Sequence, residues 1–369
     1  MKVVFTNRRD CFTQRGGDTI QMLKTKEYLE KNFDCRIDIC LNPKELINYK
    51  DYDIVHIFNI QTYKETLEFI KEAKKINKKI ALSTIYWDLE DFFLVNRTFK
   101  MFAVTPFDSK FKFLSKMLIK FIGIVLPKRS YLSLYYKRNI KKILENSDII
   151  LPNSYEELEI ISKHFNMDLS RMKKKSKIVI NATDIEKFKR IKVDKKDNDL
   201  TKYVLQVGRI EPIKNQLGTI LALEAKKEIP IIFIGKVIDE KYYSILKNIA
   251  KGRGNTYFIE EIDHEDLVKY YNEAAVHVLP SFRESPGLAT LEAISCGAQT
   301  VVSDSKFCPI ETYNLRDSSY VCNPYNIESI KDAILSAINN PKVYDVEKYK
   351  INISYNKAAK QTYEAYKKG

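Results

Sequence analysis

A chain of 369 residues is longer than one hydrophobic core usually supports, so two domains are the first expectation. Its 44% apolar content can fill both cores, and 30% charged residues with only 11 Gly and 11 Pro exclude a disordered, collagen-like or low-complexity chain. The net charge of +14 is held unevenly: residues 97–142 carry 12 Lys plus Arg against a single acid, Asp108, and the other 323 residues share only +3.

Cys11, Cys35, Cys40, Cys296, Cys308 and Cys322 form no CxxC pair and sit near no His cluster. Neither a zinc site nor a disulfide framework is expected, and reduced cytosolic thiols are the simpler reading. Met1 leads straight into Lys2-Val3-Val4-Phe5-Thr6 without a signal-peptide core, so export is not expected.

Short β-branched and aromatic runs alternate with helix-patterned stretches, the pattern of parallel βαβ units. In the first half the predicted strands are 2–6, 36–40, 54–58, 79–84, 149–151 and 178–180. Strand 2–6 is followed by Arg15-Gly16-Gly17-Asp18 and a helical run. Glycines there allow close backbone approach to a phosphate or sugar, and an ordinary tight turn accounts for them equally well. Asp51-Tyr52-Asp53 has the Asp-x-Asp form of a metal site but opens a strand at the end away from the ligand edge, so it is discounted. His56, inside an apolar strand, is read as a core group. Ser154 and Glu157 have capping-box spacing and need no functional role.

Lys112, Lys116 and Lys120 fall on one helical stripe with apolar residues around most of the remaining circumference, in a run too short and interrupted to span a bilayer. The segment is either an interfacial helix with snorkelling lysines or an amphipathic helix packed on the first sheet. Its charge favours the membrane, because each cation near an anionic leaflet contributes on the order of 1 kcal/mol. A polar stretch at 189–200 reads as a linker. The expected domains are therefore 1–195, carrying the basic insert 97–142, and 196–345. Residues 346–369 form a final helix, with Tyr349, Ile353, Ala358, Tyr363 and Tyr366 at helical spacing.

The second half offers strands 203–207, 230–234, 256–259, 276–279 and 300–302. Where strand 276–279 ends, Pro280-Ser-Phe-Arg-Glu284-Ser-Pro-Gly287-Leu288 turns into a helix that carries Glu292. The unpaired N–H groups and partial positive charge of a helix start can bind a diphosphate without a basic side chain. Glu292 could accept hydrogen bonds from vicinal hydroxyls such as those of a ribose. The plain alternative is that Glu284 caps the helix and Glu292 is solvated. Strand 203–207 ends in Gly208-Arg209, followed by Pro212 and Lys214. Two cations thus leave the carboxyl end of a parallel sheet, where such folds bind ligands. Arg209 offers a planar fork and Lys214 a compact ammonium. Two phosphate-suited devices on separate strand ends outweigh the reading as surface charges.

Gly208-Arg209 with Lys214, Leu279-Pro280-Ser281, the Glu-x7-Glu spacing of Glu284 and Glu292, then Gly297 and Val301, closely resemble the C-terminal domain of family 4 retaining glycosyltransferases. The resemblance covers essentially the whole chain, more loosely in its N-terminal half. It implies the α/β GT-B fold, two Rossmann-like doubly wound domains facing a central cleft, with the C-terminal helix packing back on the N-terminal domain. Arg209 and Lys214 would neutralise the diphosphate of a nucleotide-sugar donor, Glu284 would contact sugar hydroxyls, backbone N–H groups at Gly287 and Leu288 would hold sugar or phosphate, and Glu292 would hold the ribose. Gly16 and Gly17 would face the donor from the other domain, and base recognition would fall on backbone near 260–262.

The resemblance implies no metal and no cofactor beyond the donor substrate. The acceptor hydroxyl would attack from the leaving-group side, with the diphosphate taking its proton and no protein nucleophile required. Where the family often carries a His after the fourth strand, this sequence has Tyr86-Trp87-Asp88, which leaves the sugar unassigned. Trp87 offers either a flat face for a sugar ring or core packing. The expected acceptor is a glycan, lipid-linked, at the inner face of an anionic membrane, as in cell-surface polysaccharide or glycoconjugate synthesis. One rival is a GT-B sugar-nucleotide epimerase, which would want acid–base residues and has less use for the insert. The other is a basic nucleic-acid-binding protein, which would leave the strand-end cations unexplained and has no accompanying motif.

Overall fold

The computed structural model describes residues 1–14, 16–88, 90–102, 113–114, 117, 134–192, 202–260 and 262–368. These pack as two compact units: one from the described residues of 1–87, 134–182 and 353–368, the other from those of 88–102 and 183–352.

The first unit is built on strands β1 (Lys2–Thr6), β2 (Arg36–Ile39), β3 (Ile54–Phe58), β4 (Lys79–Ser83) and β5 (Ile149–Leu151). They lie in the order β2-β1-β3-β4-β5, every neighbour parallel. Sheets covered on both faces need strands that are apolar throughout, and β3 is buried at all five positions. His56 interrupts that run and is fully satisfied. Its Nδ1 lies 2.5 Å from the Tyr366 hydroxyl and its Nε2 2.9 Å from that of Ser83. Burial pulls its pKa down to about 3, so the imidazole is neutral. Asp53 accepts the Lys2 N–H at 2.7 Å and Asp51 pairs with the Lys2 ammonium at 2.6 Å, which ties both to the start of β1. Glu157 goes beyond a capping box. Fully buried, it accepts from the Thr84 hydroxyl and from the N–H groups of Tyr86 and Asn153, both at 2.7 Å, lacing the ends of β4 and β5.

Tyr366 belongs to the helix Tyr355–Lys368, which lies in the first unit and stacks Tyr363 on Phe33 at 4.3 Å. The terminal segment therefore returns to the N-terminal unit as predicted, but as two helices. Val346–Asn352 stays in the second unit, and the chain then breaks at Ser354, whose hydroxyl accepts the Lys357 N–H at 3.3 Å.

The second unit holds β6 (Val204–Val207), β7 (Ile231–Ile234), β8 (Thr256–Ile259), β9 (Val276–Leu279), β10 (Thr300–Ser303) and β11 (Ser319–Cys322). All are parallel, in the order β11-β10-β9-β6-β7-β8. Five were predicted. β11 was not, being four residues directly after the helical turn Leu315–Ser318. Conversely, the predicted strand 178–180 is extended chain without a ladder. Only Ser176 bridges β5, at Ile150, and the Val179 N–H bonds to the Pro152 carbonyl.

The helix Glu90–Phe102, expected in the first domain, packs in the second unit. Leu94 and Val95 join Ile213, Phe282, Phe307 and Tyr325 in one cluster, and Phe99 meets Tyr242 edge-on at 5.1 Å. Asp91, on the same helix, accepts from the Tyr325 hydroxyl and pairs with Lys306, both at 2.7 Å. The chain passes from the first unit to the second between Ala182 and Thr183, and the boundary expected at 195 lies outside the described residues. So do Lys112, Lys116 and Lys120, although Phe113, Leu114 and Met117 are described and exposed. Among the described residues no helix is long and apolar enough to cross a membrane, and all six cysteines are free thiols.

One close approach fixes the carboxyl edge of the second sheet. Gly208 and Gly235 end β6 and β7 with φ of +156° and +151°, and a Cβ on Gly235 would stand 2.2 Å from the Gly208 carbonyl oxygen. Gly235→Ala is expected to cost about 2–4 kcal/mol through backbone displacement and strain. Gly252→Ala, in the exposed last turn of the helix Glu240–Arg253, meets nothing within 4 Å and should gain up to about 1 kcal/mol. Thermal unfolding of the two variants checks this; equal midpoints would contradict it.

Candidate functional site

The strand order of the second sheet reverses between β6 and β9: the chain runs outward through β7 and β8, then returns to the other side of β6 for β9, β10 and β11. Open α/β sheets bind ligands outside the carboxyl ends of strands at such a reversal. The two segments singled out in the sequence follow these two strands. Arg209 and Lys214 come after β6, and Glu284, Gly287 and Leu288 after β9.

Local chemistry sets each side chain. Pro212–Lys214 is a single 3-10 turn. The Lys214 carbonyl is held by Gln206 Nε2 at 2.7 Å, and Gln206 Oε1 accepts from the Thr219 hydroxyl at 2.7 Å. Next comes Asn215, wholly buried and left-handed at φ +59°, a conformation Asn tolerates better than most residues. Its amide nitrogen donates to the carbonyls of Pro280 at 3.0 Å and Pro324 at 2.9 Å, while its oxygen caps the helix Gln216–Ala222 by accepting the Gly218 N–H at 3.2 Å. One side chain thereby links the ends of β6, β9 and β11. From the other side, the Phe282 N–H donates to the Ile213 carbonyl at 2.9 Å and the Glu284 N–H to that of Phe307 at 2.8 Å.

These constraints bring Lys214 and Glu284 together. Lys214 Nζ lies 2.5 Å from Glu284 Oε1, with the two side chains only 17% and 7% exposed. Gly287 stands at φ +93°, where glycine alone is at ease, and a Cβ there would meet Glu284 Oε2 at 2.9 Å. Gly287 also begins the helix Leu288–Ser295 without a side-chain cap; the Thr290 N–H turns back to the Gly287 carbonyl at 3.1 Å, which leaves the N–H groups of the first two helical residues, Leu288 and Ala289, for an anion. Arg209 stands on the same loop as Lys214 but does not join the pair. Its side chain is 58% exposed and its guanidinium forms an ion pair with Glu211 at 2.8 Å.

Glu292 lies one turn into the helix and is not solvated: its Oε2 accepts from the hydroxyl of Tyr271 at 2.9 Å. Burial, partly offset by that hydrogen bond and by Lys187, pushes its carboxyl up to about 7. In the first unit, Gly16 opens the helix Gly17–Asn32, and a Cβ on it would fall 2.8 Å from Asp18 Oδ1, the carboxylate that Arg8 holds at 2.9 Å. Gly17 has nothing within 4 Å. Tyr86 and Trp87 are both buried, and Asp88 accepts the Glu90 N–H at 2.7 Å.

Tyr271, Gln206, Asn215, Glu211 and Gly235 were not singled out in the sequence. Tyr271, Gln206 and Asn215 act through partners away along the chain and Gly235 through a backbone angle, neither of which leaves a pattern in one chain, while Glu211 pairs with its near neighbour Arg209.

The Lys214–Glu284 pair makes a direct prediction. Lys214→Met or Glu284→Gln alone strands a buried charge and should cost about 3 kcal/mol, whereas the double variant should cost clearly less than the sum. Chemical denaturation of the three variants measures the coupling, and simple additivity would show that the charges act independently.

Residues 186–360 match the family described as Glycosyl transferases group 1. The chain is 28% identical over 150 residues to the serotype-specific mannosyltransferase WbdA of Escherichia coli, covering 38% of this chain and 18% of that protein. It is 27% identical over 177 residues to O-antigen chain mannosyltransferase B of Escherichia coli, 45% of each chain. The chain thus spans less than half the length of these curated relatives. In fold it superposes on Anabaena Alr3699/HepE, solved in complex with UDP, with a TM-score of 0.70 at 13% identity over the full length of both chains. The two-sheet architecture is accordingly the two-domain GT-B fold, and it is residues 186–360, a little under half of the chain, that match the glycosyl transferases group 1 family.

Proposed function

We propose that the protein moves a sugar from a nucleoside-diphosphate sugar to a glycan acceptor. The observation that carries the reading is the Lys214–Glu284 pair at the reversal of the second sheet, beside an uncapped helix start. Lys214 and Arg209 would meet the negative charge of the diphosphate as it leaves, and such preorganised charge is usually the largest catalytic contribution. Glu284 would bind sugar hydroxyls, the N–H groups at Gly287 and Leu288 a phosphate or sugar oxygen, and Glu292 the ribose. Gly16 and Gly17 would offer backbone to a sugar or phosphate oxygen. In this reading the reaction retains configuration and needs no metal, because the two cations hold the leaving group and the diphosphate accepts the acceptor's proton.

The relatives supply the acceptor class. Two are mannosyltransferases, one of them of an O-antigen chain, which supports a growing surface glycan as acceptor. A glycan anchored to lipid would account for the +11 charge of residues 97–142, drawn to the inner, anionic face of a membrane.

UDP, ADP and GDP are the first probes for the donor site. The best of them at 100 times its Kd should add about 2.7 kcal/mol to stability, read as a thermal shift. Arg209→Ala and Lys214→Ala should each remove most of that shift, and silence from all three nucleotides would sink the donor assignment. For the acceptor side, the protein should cosediment with anionic vesicles and lose that binding when Lys112, Lys116 and Lys120 become Glu. Undiminished binding by the triple variant would count against the membrane reading.

A further inference from the structure

The surroundings of Glu292 show a division of labour between its two oxygens. Oε2 is taken by Tyr271, whereas Oε1 has no partner among the described residues. Tyr271 itself is held rigidly. It is completely buried on the helix His264–Glu273, with its ring edge-on to Phe188 at 6.0 Å on one side and to His277 at 5.5 Å on the other. A phenol so locked has one direction in which to donate.

We propose that Tyr271 is a positioning residue for the nucleotide: it fixes the rotamer of Glu292 so that Oε1 alone is presented to the vicinal hydroxyls of a ribose. The proposal rests on the donor-site reading above and adds to it a residue that never touches the ligand. A carboxylate with both oxygens free would swing and lose rotamer entropy on binding, and the phenol removes that loss beforehand.

The arrangement also gives the ribose grip a pH dependence near neutrality. The groups facing Glu292 are few. Tyr271 donates from its helix, Lys187 contributes positive charge from the preceding loop, and Cys296 lies one turn along the same helix with its thiol pushed up to about 12 by burial and by Glu292. Lys350, from the helix Val346–Asn352, faces Cys296 and pairs with Glu347, and His277 is held neutral by burial, its pKa down to about 3. With its carboxyl raised to about 7, Glu292 is neutral below that pH and an anion above it. Only the anion accepts two hydroxyl hydrogen bonds without a competing proton, so affinity for a ribonucleotide should fall as pH drops through 7. Because the Tyr271 bond favours the anion, its loss should move the midpoint of that fall upward.

Isothermal titration from pH 6 to pH 8.5 tests this on the full chain, using the tightest of UDP, ADP and GDP, with pyrophosphate as the ligand that lacks a ribose. Tyr271→Phe should weaken the nucleotide about tenfold, leave pyrophosphate unchanged, and shift the pH midpoint of nucleotide binding upward. Glu292→Gln should flatten the nucleotide's pH profile to that of pyrophosphate. If Tyr271→Phe binds both ligands as the wild type does, or weakens both equally, or keeps the wild-type midpoint, the positioning role is wrong while the donor site stands. If the wild type binds none of the nucleotides, both fall together. Should Tyr271→Phe fail to fold, Tyr271→Trp with its indole N–H, against Tyr271→Leu, carries the same comparison, and loss of nucleotide binding in neither would overturn the proposal.

Discussion

The second unit depends on one buried amide. A sheet whose order reverses leaves a gap above β6 and β9, since the connections that leave these two parallel strands run to opposite sides. Asn215 closes the base of that gap by bonding the carbonyls that end β9 and β11 while capping the helix after β6. A buried amide with its donors unmet would cost about 1–3 kcal/mol for each lost bond, so the two proline carbonyls and the Asn215 side chain fix one another. Lys214 precedes it in the chain and inherits that rigidity, held further by Gln206. The ammonium that faces Glu284 is therefore placed by backbone, and its long stem has little freedom left.

Charge along this edge is managed by pairing, with each acid given a different partner. Glu284 has an ammonium, Glu211 a guanidinium, and Glu292 a neutral phenol. The phenol satisfies one oxygen of Glu292 without repaying the loss of hydration, so burial raises its carboxyl. An arriving diphosphate would compete with Glu284 for Lys214, releasing the carboxylate at the moment a sugar is present to use it.

Most of the architecture was legible because parallel strands are short runs rich in β-branched and aromatic residues, and ten of the eleven strands were predicted on that ground. The exceptions have physical reasons. Ser319-Tyr-Val-Cys is short, polar at its start and sits at the sheet edge, so its membership comes from pairing with β10. Residues 178–180 have strand composition but follow the edge of β5 with a single bridge. Periodicity identifies an amphipathic helix at 90–102 without saying which sheet its apolar face will cover, and Phe99, Leu94 and Val95 choose the second. At the candidate site, Lys214, Glu284 and Gly287 could be named because their spacing is a family pattern. Tyr271 and Asn215 could not, because their roles exist only once residues 21 and 65 positions apart are brought into contact.

The distribution of titratable groups also bears on the kind of chemistry the chain can perform. An epimerase needs a base and an acid able to exchange protons with a sugar carbon or hydroxyl. Two of the four histidines, His56 and His277, are buried within β3 and β9 with their pKa values pulled down to about 3 by burial, so neither is an imidazolium at neutral pH. His164 lies against the Tyr86 hydroxyl at 3.1 Å in the first unit. Glu284 has one carboxylate oxygen, Oε1, engaged by the Lys214 ammonium at 2.5 Å. What this edge offers is fixed positive charge for a departing anion. Such a site suits the proposed reaction, in which the leaving diphosphate itself would take the acceptor's proton and the protein would hold that diphosphate in place.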